Sequence, residues 1–543
     1  MKKRFILPAL LAIGSLCSLS VSAQSYSITN ARIVTVSGAP IENGTIVVRD
    51  GLIESVGANV KPPADAQVFN GSGLTVYPGF FDALTNLGLQ PARPQGGGQG
   101  AQTQAAQPTS NSNYVAGLRP EESAIDELKA GEAQFETNRN AGFTTVVTVG
   151  RDGIFNGQSA VINLAGENVS TMVVKSPFAA HVTFNTVRGQ YPASLLGTFS
   201  ALRQMFLDAQ RLQEAQRLYA VSPVGMRRPD DDRSLEALIP VLNRQIPIVF
   251  NANREIEIVR ALDLAKEFNL RAIIAGGQEA AKVIDRLKAQ NVPVLLSVNF
   301  PKRTAAASAE ADPESMEVLR FRAEAPKTAA RLAQAGVKFA FQSGNLTNIN
   351  DFYANAGKAV ENGLSKDAAV RAMTLSPAEI LGVENRLGSV EKGKIANLTV
   401  VRGDIFSKDR TVTHVFVDGK LFEQKEKPKT PATPAGTAAP TSGLANVGGN
   451  YSVTIEIPGQ PMSGTLAFTQ QGAILSGTMQ TQFGTSQVRD GKVTAEGFTF
   501  SASVPFGGST IEIVVKGTVT GNQISGTIDS PQGAIPFSGT KNP

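Results

Sequence analysis

Cysteine is almost missing: Cys17 is the only one in 543 residues. It lies in a leader-like start, so a chain trimmed of that start has no disulfide, no thiolate metal site and no thiol nucleophile. Histidine is nearly as scarce, with only His181 and His414. Two imidazoles and no thiol are too few ligands for a conventional zinc site. A Ser-His-Asp triad would have to draw on one of those two histidines, and no Gly-x-Ser-x-Gly elbow accompanies them. Long apolar runs are lacking as well. The stretch from Phe5 to Leu16 is shorter than the roughly 20 residues a membrane span needs, and it contains Pro8.

What the start does contain is Lys2, Lys3 and Arg4, then an apolar run, then Val21-Ser22-Ala23 before Gln24. This layout predicts a cleavable secretory signal over residues 1–23, export to a bacterial periplasm or exterior, and no transmembrane span after its removal. Leu16 stands before Cys17 where a lipid-attachment site needs a small residue, so no lipid anchor is expected. The formal net charge is +5, but without the three leader cations 48 basic residues face 46 acidic ones. No nucleic-acid or acidic-membrane partner follows from that balance. Apolar residues make up 42% of the chain and charged ones 18%, as in globular proteins.

Residues 24–77 read as short β-segments, among them Thr45-Ile46-Val47-Val48, punctuated by Asn43-Gly44 and Asp50-Gly51 turns. After Pro78 apolar β-runs alternate with helical patterns, as in Ile246 to Asn251, Glu255 to Phe268 and Ala272 to Ala275, which predicts a parallel sheet wrapped by helices. Repeated about eight times, the pattern closes into a (β/α)8 TIM barrel over residues 78–377. β-pattern returns over residues 378–424, and the two flanking β pieces are expected to combine in one composite β-sandwich. Residues 90–112, rich in Gly, Gln, Ala and Pro, read as a low-complexity loop at the barrel's active face, and residues 427–445 as a Pro/Thr/Ala linker. Residues 446–543 form a further all-β domain of about eight short strands, an up-and-down meander or small barrel. Its near-repeats are Met462-Ser463-Gly464-Thr465, Leu475-Ser476-Gly477-Thr478, Ile524-Ser525-Gly526-Thr527 and Phe537-Ser538-Gly539-Thr540.

The segment PGFFDALTNLGL from Pro78 to Leu89 resembles the first-strand motif PGLIDxHxHxG of the amidohydrolase superfamily. LSPAEILGVENRLGSVEKGKIANLTVVRGD, from Leu375 to Asp404, resembles that superfamily's patterned tail, and the similarity is to its imidazolonepropionase-like branch. The resemblance implies a divalent metal, usually zinc, held by a His-x-His pair, a carboxylated lysine or carboxylate, further histidines and a late aspartate. Such a metal lowers the pKa of bound water to about 7 and supplies hydroxide to attack a carbonyl carbon. At the matching positions this sequence has Leu84 and Asn86 for His-x-His, His181 for the lysine, Asn251 and Asn253 on the fifth strand, Gly276 on the sixth and Gly344 on the eighth. No metal is therefore expected, although the superfamily calls for one.

His181 reads as a hydrogen-bonded core histidine, and His414 as a structural residue of the flanking sandwich. Asp82, Thr85, Glu279 and Ser343 are candidate polar pocket residues; Asp82, Glu279 and Asp351 are the carboxylates an oxygen-only site would draw on, with backbone capping the blander role for Asp82. Arg227-Arg228 and Asp230-Asp231-Asp232 read as a solvated charged loop, with calcium as a minor reading. Two functions remain in view. One is an exported pseudoenzyme that binds a small or peptide-like molecule, or serves as hetero-oligomeric partner to an active relative. The other is a residual hydrolase of carbon-nitrogen bonds in amides, peptides or cyclic amides.

Overall fold

A computed structural model describes residues 25–89, 117–131, 133–186, 191–303, 314–344, 346, 348–423, 444–456, 462–481, 484–506, 509–530 and 533–542. The leader 1–23, the loop 90–112 and all but the last two residues of the linker 427–445 lie outside the described residues. The chain divides into two compact units, Met1–Lys427 and Pro428–Pro543.

In the first unit, strands Ala180–Thr183, Ile248–Ala252, Ala272–Gly276, Val294–Ser297 and Phe339–Gln342 pair in parallel in that order, and Phe80–Thr85 pairs in parallel with Phe143–Thr148. Phe80–Thr85 packs beside Phe339–Gln342 and brings the two sets together. Helices separate the strands in sequence. Glu255–Glu267, for example, buries Ile258, Ala261, Leu262 and Ala265 at helical spacing and turns its charged residues outward. The architecture is a TIM-barrel-type α/β fold, with an all-β domain following it.

One stave departs from the strict (β/α)8 expectation. Phe155–Gln158 runs antiparallel to Ala180–Thr183, and Ala160–Asn163 antiparallel to Phe143–Thr148. The reason is chain length. Only residues 149–154 link Phe143–Thr148 to the next strand, and a parallel crossover needs about a dozen residues or more. The chain must therefore turn back. At the joint, the Ser159 amide donates to Ala179 O at 2.9 Å, and Ser159 O accepts from the Phe178 amide at 2.8 Å.

The β pieces at either side of the barrel join in one eight-stranded sheet, because Leu74–Pro78 pairs antiparallel with Leu398–Arg402. His414 lies in its Thr411–Val417 strand, with Nδ1 3.0 Å from Thr413 Oγ1. A buried polar cluster fastens this sheet to the barrel: Asn397 Nδ2 donates to Thr145 Oγ1 and Asn163 Oδ1, and Asn163 Nδ2 donates to Asp418 Oδ1 at 2.6 Å. The acidic run is not wholly solvated as expected. Asp232 is buried and caps helix Arg233–Leu242, accepting from the Ser234 and Leu235 amides, a role typically worth about 1 kcal/mol.

In the second unit, strands Gly449–Ile455, Met462–Gln471, Ile474–Thr481, Arg489–Val493, Phe498–Phe506, Ser509–Thr520, Gln523–Ser530 and Gly533–Lys541 pair antiparallel in sequence order. The last pairs with the first, so eight strands close into a barrel, with Gly484–Gln487 hanging from Ile474–Thr481. Its interior is filled by Tyr451, Leu466, Phe468, Phe498, Phe500, Ile524 and Phe537. No helix among the described residues is long and apolar enough to cross a membrane.

Candidate functional site

Parallel register sets Thr183, Asn251 and Ala275 side by side on adjacent strands, and Ser297 beside Gln342. With Leu84, Thr85, Asn253, Gly276 and Gly344 they line a cavity of about 390 Å³ at the carboxyl ends of the strands, where barrels of this type carry their sites. A neighbouring cavity of about 260 Å³ shares Gly150, Arg151 and Asn156 with the first and includes Asn86. Six of the sequence-predicted positions, Leu84, Thr85, Asn251, Asn253, Gly276 and Gly344, thus meet in one cavity, and Asn86 borders the next.

The wall is uncharged and tied to itself. Asn251 Nδ2 donates to Thr183 Oγ1 at 2.9 Å, Thr183 Oγ1 to Asn156 Oδ1 at 2.7 Å, and Asn156 Nδ2 to Asp152 O at 3.2 Å. Gln342 Oε1 accepts from the Gly344 amide at 2.9 Å. Arg151 is the exception to the neutral lining. Its Nη2 donates to Asn86 Oδ1. Burial lowers its pKa, and the Asp82 charge pulls the other way. Sequence reasoning overlooked Arg151. The signal was its place just past a barrel strand, in the Gly150-Arg151-Asp152 turn, where pocket residues of such barrels sit.

Asp82 lies fully buried and outside the cavity lining. Its Oδ1 accepts from the Ser343 amide at 2.9 Å and the Leu84 amide at 3.4 Å, joining the end of the last strand to the first. This is the backbone-capping role. Burial pushes its carboxyl up to about 6, against the pull of Ser343, the Leu84 amide and Arg151. Ser343 meets Asp82 through both its amide and its hydroxyl and lies outside the cavity lining. Glu279 also falls outside the cavity: it accepts from the Glu255 amide at 2.8 Å and from Lys282 Nζ at 2.9 Å. Burial raises its pKa, but these donors hold it below the ordinary value.

His181 is likewise not at the mouth. It is completely buried two residues before Thr183 on the same strand, with Nε2 2.8 Å from Ser159 Oγ. Its Nδ1 has no partner among the described residues, and burial drives its pKa down to about 3. The imidazole is neutral in any ordinary medium.

The profile described as "Amidohydrolase family" matches residues 252–422. An amidohydrolase from Thermotoga maritima superposes with a TM-score of 0.62 at 25% identity, covering 74% of this chain and 100% of that one. Over residues 252–422 the chain carries the amidohydrolase family's pattern, and the first unit has an amidohydrolase's fold. Amidohydrolase tasK of Hapsidospora irregularis is 23% identical over 401 residues, 69% of this chain and 39% of its own length. The N-acetylglucosamine-6-phosphate deacetylase of Haemophilus influenzae is 45% identical over 69 residues, 13% of this chain and 16% of its own length. The chain therefore spans well under half of either curated relative.

An amidohydrolase barrel implies a divalent metal at this mouth, and the residues present do not fit one. Among the described residues no three His, Cys, Asp or Glu side chains come together as a metal-holding group, and Asp82, Glu279 and Asp351 are not gathered into one. Leu84 has no lone pair, the amides facing the cavity are neutral, and the guanidinium beside them would repel a dication. The backbone has adapted as well. Gly276 has φ +90°, and a Cβ on it would stand 2.5 Å from Asn253 Oδ1. Gly344 has φ +58°, and a Cβ there would stand 2.0 Å from Ser297 Oγ. The Asn253 and Ser297 side chains occupy the space a ligand at either glycine would enter.

Proposed function

We propose that this amidohydrolase barrel binds a small carboxylate-bearing molecule and does not hydrolyse it. The observation that carries the reading is Arg151: a cation hydrogen-bonded to Asn86, the one charged residue of a cavity otherwise lined by neutral groups, with Glu122, Glu127 and Asp152 confined to the neighbouring cavity. The carboxylate charge that reaches it is that of buried Asp82, which is not in the cavity lining. A guanidinium presents a planar pair of N–H donors to a carboxylate. Thr183, Asn251 and Ser297 offer uncharged hydrogen-bonding groups to the rest of the ligand, and the cavity of about 390 Å³ suits a molecule the size of a dipeptide. Residual hydrolysis is not favoured, because the buried Asp82 carboxyl, held by two backbone amides and outside the cavity, is badly placed to serve as a general base.

Calorimetric titration of the purified chain with a series of dipeptides and their C-terminal amides tests this reading. At least one free acid is expected to bind and its amide to bind more weakly. Arg151→Met should weaken the acid by about 10- to 100-fold, the scale of one lost charge-assisted hydrogen bond, and leave the amide unchanged. Stoichiometric tightly bound zinc or manganese, or turnover of a bound dipeptide, would overturn it.

The same reading places the protein in the imidazolonepropionase-like branch, exports it through residues 1–23, and pairs it with a relative that keeps its histidines. Support for the last point is an intact scaffold without catalytic ligands. Isolation as a lone subunit under mild conditions would count against that pairing.

A further inference from the structure

We propose that the outer face of the C-terminal barrel binds a linear, uncharged polysaccharide. Three of the Ser-Gly-Thr tripeptides, at residues 463–465, 525–527 and 538–540, lie on strands beside or near Gly449–Ile455. In each, Ser and Thr are exposed on the outer side and Gly sits on the inner one, as the period-2 alternation of a strand requires.

Antiparallel register then turns the repeats into rows. Gln523 stands opposite Thr540, Thr540 opposite Ser452, Ser452 opposite Thr465, and Thr465 opposite Gln480. A second row runs Ser525, Ser538, Thr454, Ser463. With strands about 4.8 Å apart, the first row extends about 19 Å across five strands.

The outer wall of a barrel ordinarily bulges, yet here it holds a groove of about 1000 Å³ lined by both rows. The inner glycines account for it. Gly539 and Gly464 flank Val453 on the inside. A Cβ on Gly539 would stand 2.3 Å from Ser452 O, and one on Gly464 2.9 Å from Gln480 O. Without those side chains the wall closes inward, and its outer surface hollows.

The groove's chemistry selects the occupant. Its lining contains no charged and no aromatic residue, which leaves nothing to neutralise a nucleic-acid backbone or an anionic polymer. The strands that carry the two rows are each paired on both sides there, so the rows themselves offer no edge to which an extended peptide could add by main-chain hydrogen bonds. Hydroxyls and amides that both donate and accept match the repeated hydroxyls of a neutral glycan. Rows at strand spacing meet such a chain about once per sugar ring. Binding by hydrogen bonds alone accumulates along the polymer.

Native electrophoresis of the full chain through gels carrying a linear α-glucan, a linear β-glucan, a linear mannan or anionic alginate tests the proposal. Retardation by at least one neutral polymer, insensitive to salt, is expected. The double variant Thr465→Val/Ser538→Ala should bind that polymer about tenfold more weakly. Ser476→Ala, in the tripeptide outside the groove, and Arg151→Met should leave it unchanged. Retardation by alginate alone, by no neutral polymer, or equally by the double variant would overturn the proposal. So would equal loss in Ser476→Ala, or displacement of the glycan by a polar extended peptide.

Discussion

Replacing His181 by glutamine should remove about 5 kcal/mol of acid-induced destabilisation from the first unit. Burial holds the native imidazole at about 3, whereas an unfolded histidine titrates near its model value of 6.5. From pH 6.5 down to 3 the unfolded chain binds a proton that the native chain refuses, so stability falls as the medium is acidified. The effect is complete below the folded value. Glutamine keeps a partner for Ser159 and does not titrate. Urea unfolding of both proteins at a series of pH values gives the difference, and equal slopes below pH 6.5 would show that the ring is not the acid-sensitive group.

Asp82 acts with the opposite sign. Its native pKa of about 6 stands above the model value of 3.8, so its contribution is present below 3.8 and lost as the pH rises through 6, about 3 kcal/mol in all. Between pH 3.8 and 6 the native state gains one proton at Asp82 and lacks one at His181 relative to the unfolded chain. The two slopes cancel. Wild-type stability should therefore be nearly flat in that window as far as these groups decide it. Asp82→Asn, which keeps an acceptor for the Ser343 and Leu84 amides, should expose the full acid slope of His181 there. A variant that stays flat would show that the cancellation is absent.

The second large effect concerns restoring the family's ligands. Gly276→His and Gly344→Asp should each destabilise the barrel by about 2–5 kcal/mol, combining a left-handed backbone cost with overpacking. Gly344→Asp is expected to be the worse, because its Cβ would fall closer to a neighbour, Ser297 Oγ, than that of Gly276 to Asn253. Pairing it with Ser297→Gly should recover the steric part alone. Thermal unfolding of the three proteins measures this; an unperturbed Gly344→Asp would mean the mouth is plastic enough to readmit a metal site.

The alternation of apolar strands and amphipathic helices made the barrel legible, because burial on both faces of a parallel strand leaves a continuous apolar run such as Ile248-Val249-Phe250. Motif positions located Leu84, Asn251, Asn253, Gly276 and Gly344, since parallel register converts equal offsets along neighbouring strands into one ring. His181 does not join the ring and stands instead as the hydrogen-bonded core histidine the sequence suggested; its depth below Thr183 depends on register with Ile248–Ala252. Arg151 carried no motif, only a place after a strand. The antiparallel stave was hidden because Ala160-Val161-Ile162 is as apolar as any parallel strand, and only the brevity of residues 149–154 betrays its direction. The closed C-terminal barrel depended on pairing between its first and last strands, a contact no local pattern encodes.

That inverted stave has a bearing on affinity. Since the wall itself doubles back at the rim, Arg151 is carried on a tight turn between two strands of the barrel rather than on a long connecting excursion. The backbone that bears the guanidinium is thus ordered before an anion docks, so the cost of fixing a loop is not added to that of fixing the side chain.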